Sequence, residues 1–434
     1  MKSHTDIPQT LMMKQAWQWL LSVLLLTAVT ACHDEDIPVY HPEEQHTEAT
    51  QALINICQQH PEIERLLRKS ISQAAEINPD KRYNPAQTLE EFYDFIDWNV
   101  RRLPWDVIDG TKADGGSLYS RTDQGVGYFW FVVDQPLDEL KGRGYYYPTV
   151  EFVQPFSDWL TTYANSWGDW LSTTASWNDT YYNMVATDPD WGLTKGWYGE
   201  GNRWKTFNEF FSRSLASPAM RPIDTKAEVV MPVDSWPKGL WQIDSNNQLV
   251  YPENFYVKTA KLSDIGALIG KDSKYATAFA GGTLTHTFLD VNDYHRYHSP
   301  VDGELVELRN IPGVAAGGGY TLWDDKAKRY YYVNNMGFQM VETRACAIIR
   351  TEEYGLVAML PVGMSQIASV NWIPSLHVGQ QLKRGDEMGF FQFGGSDVIL
   401  IFQQGIEVNL LSKPDGEGGY QHQLMGEALA RLKK

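Results

Sequence analysis

The sequence predicts an α+β fold, with a mainly helical, aromatic-rich N-terminal domain followed by a strand-rich domain of barrel or sandwich type. Three observations carry that reading. Apolar residues between Thr50 and Leu103 recur at intervals of three and four. Seven tryptophans crowd the stretch from Trp159 to Trp204. Beyond Arg221-Pro222 the texture changes to short β-branched and aromatic runs separated by Gly and Pro. At about 100–200 residues per domain, a chain of 434 residues holds two or three such units. With 37 Lys+Arg against 54 Asp+Glu the net charge is −17. A strongly acidic chain is a poor partner for phosphate polyanions, which excludes nucleic-acid binding as a class.

The first element is an address. Lys2 and Lys14 flank the start of an apolar core, Trp19-Leu20-Leu21-Ser22-Val23-Leu24-Leu25-Leu26, which small residues close at Val29-Thr30-Ala31-Cys32. That is the order of a signal peptide over residues 1–31. From Ala16 to Ala31 the run has 16 residues, short of the ~20 that a spanning helix needs. Val-Thr-Ala-Cys resembles the lipobox of bacterial lipoproteins. The resemblance implies that Cys32 becomes the lipidated first residue of the mature chain. The protein is then anchored to a membrane of the cell envelope, at the periplasmic face or the cell surface. As far as Glu48 the following stretch carries six acids and no Lys or Arg, too polar to bury a core, so residues 32–49 read as a solvated tether.

The helical domain is expected over 50–217. Ile63, Leu66, Leu67 and Ile71 mark one helix face, with Pro61 suited to its first turn. Asn78-Pro79-Asp80 breaks the chain, and Thr88-Leu89-Glu90-Glu91 opens the next helix as a capping box, with Phe92, Phe95, Ile96 and Val100 on one side. The tryptophans fit a helical core or domain interface better than a substrate wall. A further capping box, Thr206-Phe207-Asn208-Glu209, opens a short helix ending before Pro218. The strand-rich domain, 218–434, shows runs such as Val229-Val230, Tyr330–Val333, Ala347–Ile349, Leu356–Leu360 and Val398–Phe402.

Three places invite chemistry. His295 and His298 lie in Tyr294-His295-Arg296-Tyr297-His298-Ser299-Pro300. They lack the Glu and the i,i+4 spacing of a helical zinc site, and sit better on a strand end or turn. Gly317-Gly318-Gly319 has no Lys-Ser/Thr after it and fits neither nucleotide fingerprint. In Phe393-Gly394-Gly395-Ser396-Asp397 two glycines allow a sharp turn at the head of a strongly apolar strand. Three cysteines cannot build a disulfide framework or a four-thiolate zinc site. Whether Cys57 and Cys346 pair is left open.

Three separated segments together resemble phosphatidylserine decarboxylase and its soluble pyruvoyl-dependent relatives. They are Phe207-Asn208-Glu209-Phe210-Phe211-Ser212-Arg213 leading to Arg221-Pro222 and Met231-Pro232-Val233-Asp234, then Asp293–Gly303, then Lys383-Arg384-Gly385-Asp386-Glu387-Met388-Gly389 running into Phe393–Ser396. The resemblance spans about residues 205–410. It implies a proenzyme that cuts itself between Gly395 and Ser396 and converts Ser396 into a covalent pyruvoyl group, with no pyridoxal phosphate and no metal. Ser396 is then the nucleophile, His298 its base and Asp234 the carboxylate that orients the base. His295 corresponds to a histidine tied to decarboxylation and is placed to supply a proton to the substrate Cα. The two cleavage fragments stay associated.

Two residues depart from the family pattern. Asp397 stands where Thr or Ser usually follows the serine, and Ser235 where Gly usually follows the aspartate. A carboxylate next to the scissile bond either opposes ester formation or points away along the strand. The Phe-Gly-Gly-Ser form and the tryptophan-rich region look closer to the soluble, aromatic amino-acid decarboxylase-like branch. The expected reaction is removal of the α-carboxylate of a free amino acid, an aromatic one included, through a Schiff base. Phosphatidylserine, giving phosphatidylethanolamine, is the alternative, and a non-catalytic ligand-binding surface lipoprotein on the same scaffold is the second. Arg344 is a candidate cation for a substrate carboxylate or phosphate, weighed against an ordinary surface charge.

Overall fold

The computed structural model describes residues 45–108, 117–250, 263–317, 319–334, 340–363, 369–393 and 396–434. The signal segment, Cys32, the tether up to residue 44, Gly318, Gly394 and Gly395 lie outside the described residues. Among the described residues the helix Glu48–Gln59 starts inside the stretch expected to be tether. His46 and the Thr47 hydroxyl and N–H bond the buried Asp97 carboxylate, which ties the start of this helix to the helix Leu89–Asn99.

The helices form where the periodicity placed them. Pro61–Ile77 starts on Pro61 and buries Ile63, Leu66, Leu67, Ile71 and Ala74 on one face. Both capping boxes close. The Thr88 hydroxyl accepts the Glu91 N–H at 3.1 Å while the Glu91 carboxylate reaches back to the Gln87 N–H. Thr206 accepts the Glu209 N–H at 3.1 Å while Glu209 accepts from the Lys205 N–H, opening the short helix Phe207–Phe211. Helix Phe156–Leu171 buries Trp159, Leu160, Tyr163, Ala164, Trp167 and Leu171. Trp105, Trp130, Trp159, Trp167 and Trp191 are all essentially fully buried. The Trp159 and Trp167 indoles donate to the Ala49 and Arg102 carbonyls. The tryptophan crowding is therefore core packing, in which Trp159 and Trp167 have bonded N–H groups while those of Trp105 and Trp191 are buried without a partner among the described residues.

The strand-rich half is organised on a seven-stranded antiparallel sheet. Its order is Gln381–Leu382, Gly303–Ile311, Arg344–Arg350, Leu356–Gly363, Ser396–Phe402, Thr283–Leu289 and Trp236–Gln242. The run Val398–Phe402 is apolar at every position because both faces of this strand are covered. Val398, Leu400 and Phe402 enter a core with Leu289, Leu305, Met359 and Leu429. Ile399 and Ile401 enter another with Leu268, Leu284, Cys346 and Ile348. The barrel option is corrected: among the described residues the sheet's two edges, Gln381–Leu382 and Trp236–Gln242, do not pair with each other, so it stays open. Smaller sheets pack around it. One consists of Val370–Trp372, Glu387–Phe391 and Arg296–His298 in that order, and another of Val229–Val230, Ala428–Lys433 and Glu407–Leu410.

The helical layer and the sheets meet directly. Gly319–Asp324 and Arg329–Asn334 form a hairpin whose Tyr330 packs edge-on against Tyr128 and beside Phe131. Asp134, at the end of helix Leu118–Val133, accepts the Thr321 N–H at 2.6 Å, and Glu151 accepts the Gly317 N–H at 2.9 Å.

Candidate active site

Ser396 is the first residue of the fifth strand of the seven-stranded sheet, directly opposite Leu289 on one side and Gly363 on the other. It is fully buried, and its hydroxyl has no hydrogen-bond partner among the described residues. Gly395, on the far side of the expected cut, lies outside them. The segment leading there is held by aromatic packing. Phe393 lies 5.3 Å from Trp167, 5.6 Å from Phe207 and 5.4 Å from Phe211, centroid to centroid. Asn208 adds a polar clamp, since its side-chain oxygen accepts the Phe393 N–H while its amide donates to Gly168 O and Ser172 Oγ. A cleft of about 240 Å³ opens alongside, lined by Trp167, Asp169, Asn208, Ser369, Gln392 and Phe393 among others.

His298 ends the strand Arg296–His298, which pairs with Glu387–Phe391. Its Nδ1 lies 2.8 Å from the Gly385 carbonyl, and a carbonyl only accepts, so Nδ1 carries the proton. Nε2 is then the lone-pair nitrogen, and the Tyr294 hydroxyl donates to it at 3.1 Å. Gly385 has φ +86°, and a Cβ there would come 2.4 Å from Ile223 Cδ1. The turn that aims this carbonyl therefore requires glycine. Burial lowers the His298 pKa, opposed by the Gly385 bond and by the charges of Glu387 and Asp234, so the ring is neutral near neutral pH.

His295 is fully buried, and its Nδ1–H donates to the Asp293 carbonyl at 2.9 Å. Its ring lies 3.9 Å from that of Phe211, and Nε2 has no partner among the described residues. Burial, helped by the Arg213 charge, pushes its pKa down to about 3. The resting imidazole is thus a proton acceptor, and it can deliver a proton to a substrate only after first taking one up.

The structure bonds the Asp234 carboxylate to Arg221 and not to His298. The carboxylate is wrapped by Arg221, whose Nε lies 2.9 Å from Oδ1, and Oδ1 also accepts the Met425 N–H at 2.8 Å. The His298 proton that an orienting carboxylate would accept goes instead to Gly385 O. Asp234 acts on His298 through its charge, and on the site as the anchor of a buried ion pair under Trp197.

Arg344 is corrected on both counts. It is neither a surface charge nor open to substrate, being 5% exposed. Its guanidinium donates to the Ala267, Leu268 and Glu342 carbonyls, closing the end of the short helix Ile265–Ile269. Burial lowers its pKa to about 10. Cys57 and Cys346 are both buried free thiols.

Sequence reasoning missed two supports. Arg213, quoted only within a motif, is buried and donates to the Asn292 and Asp293 carbonyls, fixing the residue that in turn holds His295. His422 lies 2.8 Å from the Asp293 carboxylate, from 129 residues away in sequence. Burial raises the Asp293 pKa to about 6. Buried arginines quoted beside a histidine motif were the only available signal.

The family model described as phosphatidylserine decarboxylase matches residues 207–431. Phosphatidylserine decarboxylase proenzyme 2 of Oryza sativa subsp. japonica is 35% identical over 206 residues, covering 46% of this chain and 30% of that protein. The phosphatidylserine decarboxylase proenzyme of Ruminiclostridium cellulolyticum is 30% identical over 209 residues, 46% of this chain and 61% of the relative. That of Chlamydia caviae is 30% identical over 239 residues, 53% and 71%. The chain thus spans less than two thirds of the length of the first two relatives. The helices before residue 207 lie outside the family match.

Proposed function

The chain belongs to the phosphatidylserine decarboxylase family, and from that premise we propose that it is a self-processing, pyruvoyl-dependent decarboxylase. The observation that carries the reading is the chemistry of three buried side chains. Ser396, at the head of its strand, has a hydroxyl without a partner among the described residues, and His298 and His295 are neutral imidazoles with acceptor nitrogens. A serine needs such a base to react at neutral pH.

Ser396 Oγ attacks the Gly395 carbonyl as its proton passes to His298 Nε2. The amide C–N bond breaks as the nitrogen takes up a proton, leaving an ester. Loss of the Ser396 α-proton expels the Gly395 carboxylate, and the unsaturated residue takes up water and releases ammonia. The product is a pyruvoyl group acylating the Asp397 nitrogen. That group supplies an electrophilic carbonyl for an amine and an electron sink for decarboxylation. His295 Nε2, buried and unpartnered, is the acceptor that takes up a substrate proton and returns it at Cα. The smaller fragment, Ser396–Lys434, contributes a strand lying between Leu356–Gly363 and Thr283–Leu289, which favours association of the fragments after the cut.

The relatives are named for phosphatidylserine, and this sets phosphatidylserine ahead of the free aromatic amino acid that the sequence placed first. The cleft beside Phe393 supports a free amino acid as the second reading. Among the described residues its lining has a carboxylate, Asp169, and no Lys or Arg to meet a phosphodiester. Carbon dioxide release from phosphatidylserine vesicles and from a panel of free amino acids decides between them. Lipidation at Cys32 would keep either substrate within reach at a membrane of the cell envelope. Fatty-acid labelling that is lost in Cys32→Ala tests it.

A further inference from the structure

The two departures from the family pattern beside the reacting serine, Asp397 and Ser235, are each bonded to the same neighbouring strand. His286 and Thr287 are consecutive residues of Thr283–Leu289, so their side chains point to opposite faces of the sheet. The Asp397 carboxylate lies 2.7 Å from His286 Nδ1, and the Thr287 hydroxyl donates to Ser235 Oγ.

The faces decide what the first of these bonds does. Ser396 shares a side with Val398, Leu400 and Phe402, whereas Asp397 shares the other with Ile399 and Ile401. His286 stands directly across from Ile399, which places it diagonally from Asp397 on that second face. The carboxylate is therefore turned away from the serine hydroxyl and does not oppose its attack. The layer that it enters holds Leu284, Ile348, Leu360 and Val362, with the buried Arg344 across Val362 on the same face, and Trp241 stacks on the imidazole at 5.1 Å. Asp397 is fully buried and His286 nearly so. A buried carboxylate is tolerated in such a layer only when it is bonded. Sliding the strand by one residue would turn Asp397 to the other face and break its bond to His286.

We propose that the Asp397–His286 pair is a positioning pin for the self-cleavage, fixing the register of the strand that begins at Ser396 and holding its new end after the cut. The need follows from where the cut falls. Ser396 is already the first residue of its strand, and a chain end at the head of a strand frays unless it is tied down. A side-chain bond one residue further in supplies that tie on the face that the chemistry does not use. The inference rests on the reading of Ser396 as the reacting residue.

The test compares Asp397→Ala with Asp397→Asn, whose amide oxygen still accepts from His286 Nδ1–H. Two readouts are taken: self-cleavage of the purified full chain followed by gel, and amide hydrogen exchange at residues 397–399 in an uncleaved Ser396→Ala background. Asp397→Ala should slow cleavage by about tenfold and Asp397→Asn by no more than about threefold, the range for losing or keeping one buried hydrogen bond. In the uncleaved background Asp397→Ala should speed exchange at 397–399 by about tenfold, and Asp397→Asn should leave it protected. Wild-type-like exchange at 397–399 in Ser396→Ala/Asp397→Ala overturns the pin, and so does wild-type cleavage by Asp397→Ala. A wild-type chain that never cuts itself defeats the reading of Ser396 instead, and the exchange arm still decides the pin.

Discussion

The imidazole of His298 is oriented by the backbone of Gly385, not by a carboxylate: Nδ1 donates to that carbonyl at 2.8 Å. A neutral dipole fixes the tautomer, and Asp234 adds its charge from within an ion pair with Arg221. The base of the proposed reaction is thus positioned by a turn that only glycine makes without strain.

Gly385→Ala is expected to disturb that turn, because the added Cβ meets Ile223 and the residue sits at positive φ. Self-cleavage should slow by about tenfold or more, the scale of losing one hydrogen bond to a charged or polarised group. Timed gels at fixed temperature, beside a thermal melt, check this. Wild-type cleavage would remove the Gly385 carbonyl from the account.

Asp234→Ala leaves the Arg221 guanidinium buried without its partner. Breaking a buried ion pair on one side destabilises by about 3–5 kcal/mol, so urea denaturation should show a loss of that size. Unchanged stability with cleavage abolished would return Asp234 to the role of orienting His298.

The pH dependence of cleavage follows from burial. His298 takes the serine proton only when neutral, and its pKa is held below 6.5 chiefly by burial. The cleavage rate should therefore stay level as pH falls to about 6.5 and drop only at lower pH. A midpoint at or above the ordinary histidine value would contradict the neutral, buried base.

Stability carries the opposite dependence where the helices meet the hairpin. Burial pushes the Glu151 pKa up to about 8 and raises those of Asp134 and Glu342 as well. The folded state keeps protons that the unfolded chain releases above its ordinary value of 4.5. This contribution is complete at low pH and is lost as pH rises through about 8. The melting temperature should fall by about 5 °C or more over that rise. Glu151→Gln, which cannot ionise, should flatten the fall in a calorimetric pH series.

What the sequence made legible was local. Capping boxes, the Pro61 helix start, the apolar run Val398–Phe402 and the histidine motif all depend on residues a few positions apart, where spacing alone constrains geometry. The partners that define the site come from far along the chain. Gly385 is 87 residues from His298, and His286 is 111 from Asp397. No periodicity reports such contacts. Arg344 shows the same limit: a charged residue within a strand gave no sign that the carbonyls ending another helix would surround it. Asp234 reaches His298 through its charge, and its bond to Arg221 depends on a fold that the motif spacing does not specify.

Mass spectrometry of the purified wild-type chain beside Ser396→Ala tests the central claim most directly. The expected result is a C-terminal fragment of 39 residues, Ser396–Lys434, with a blocked N-terminus that reacts with borohydride or hydroxylamine, and a Ser396→Ala chain that stays whole. A wild-type chain that remains one uncut polypeptide would contradict the account.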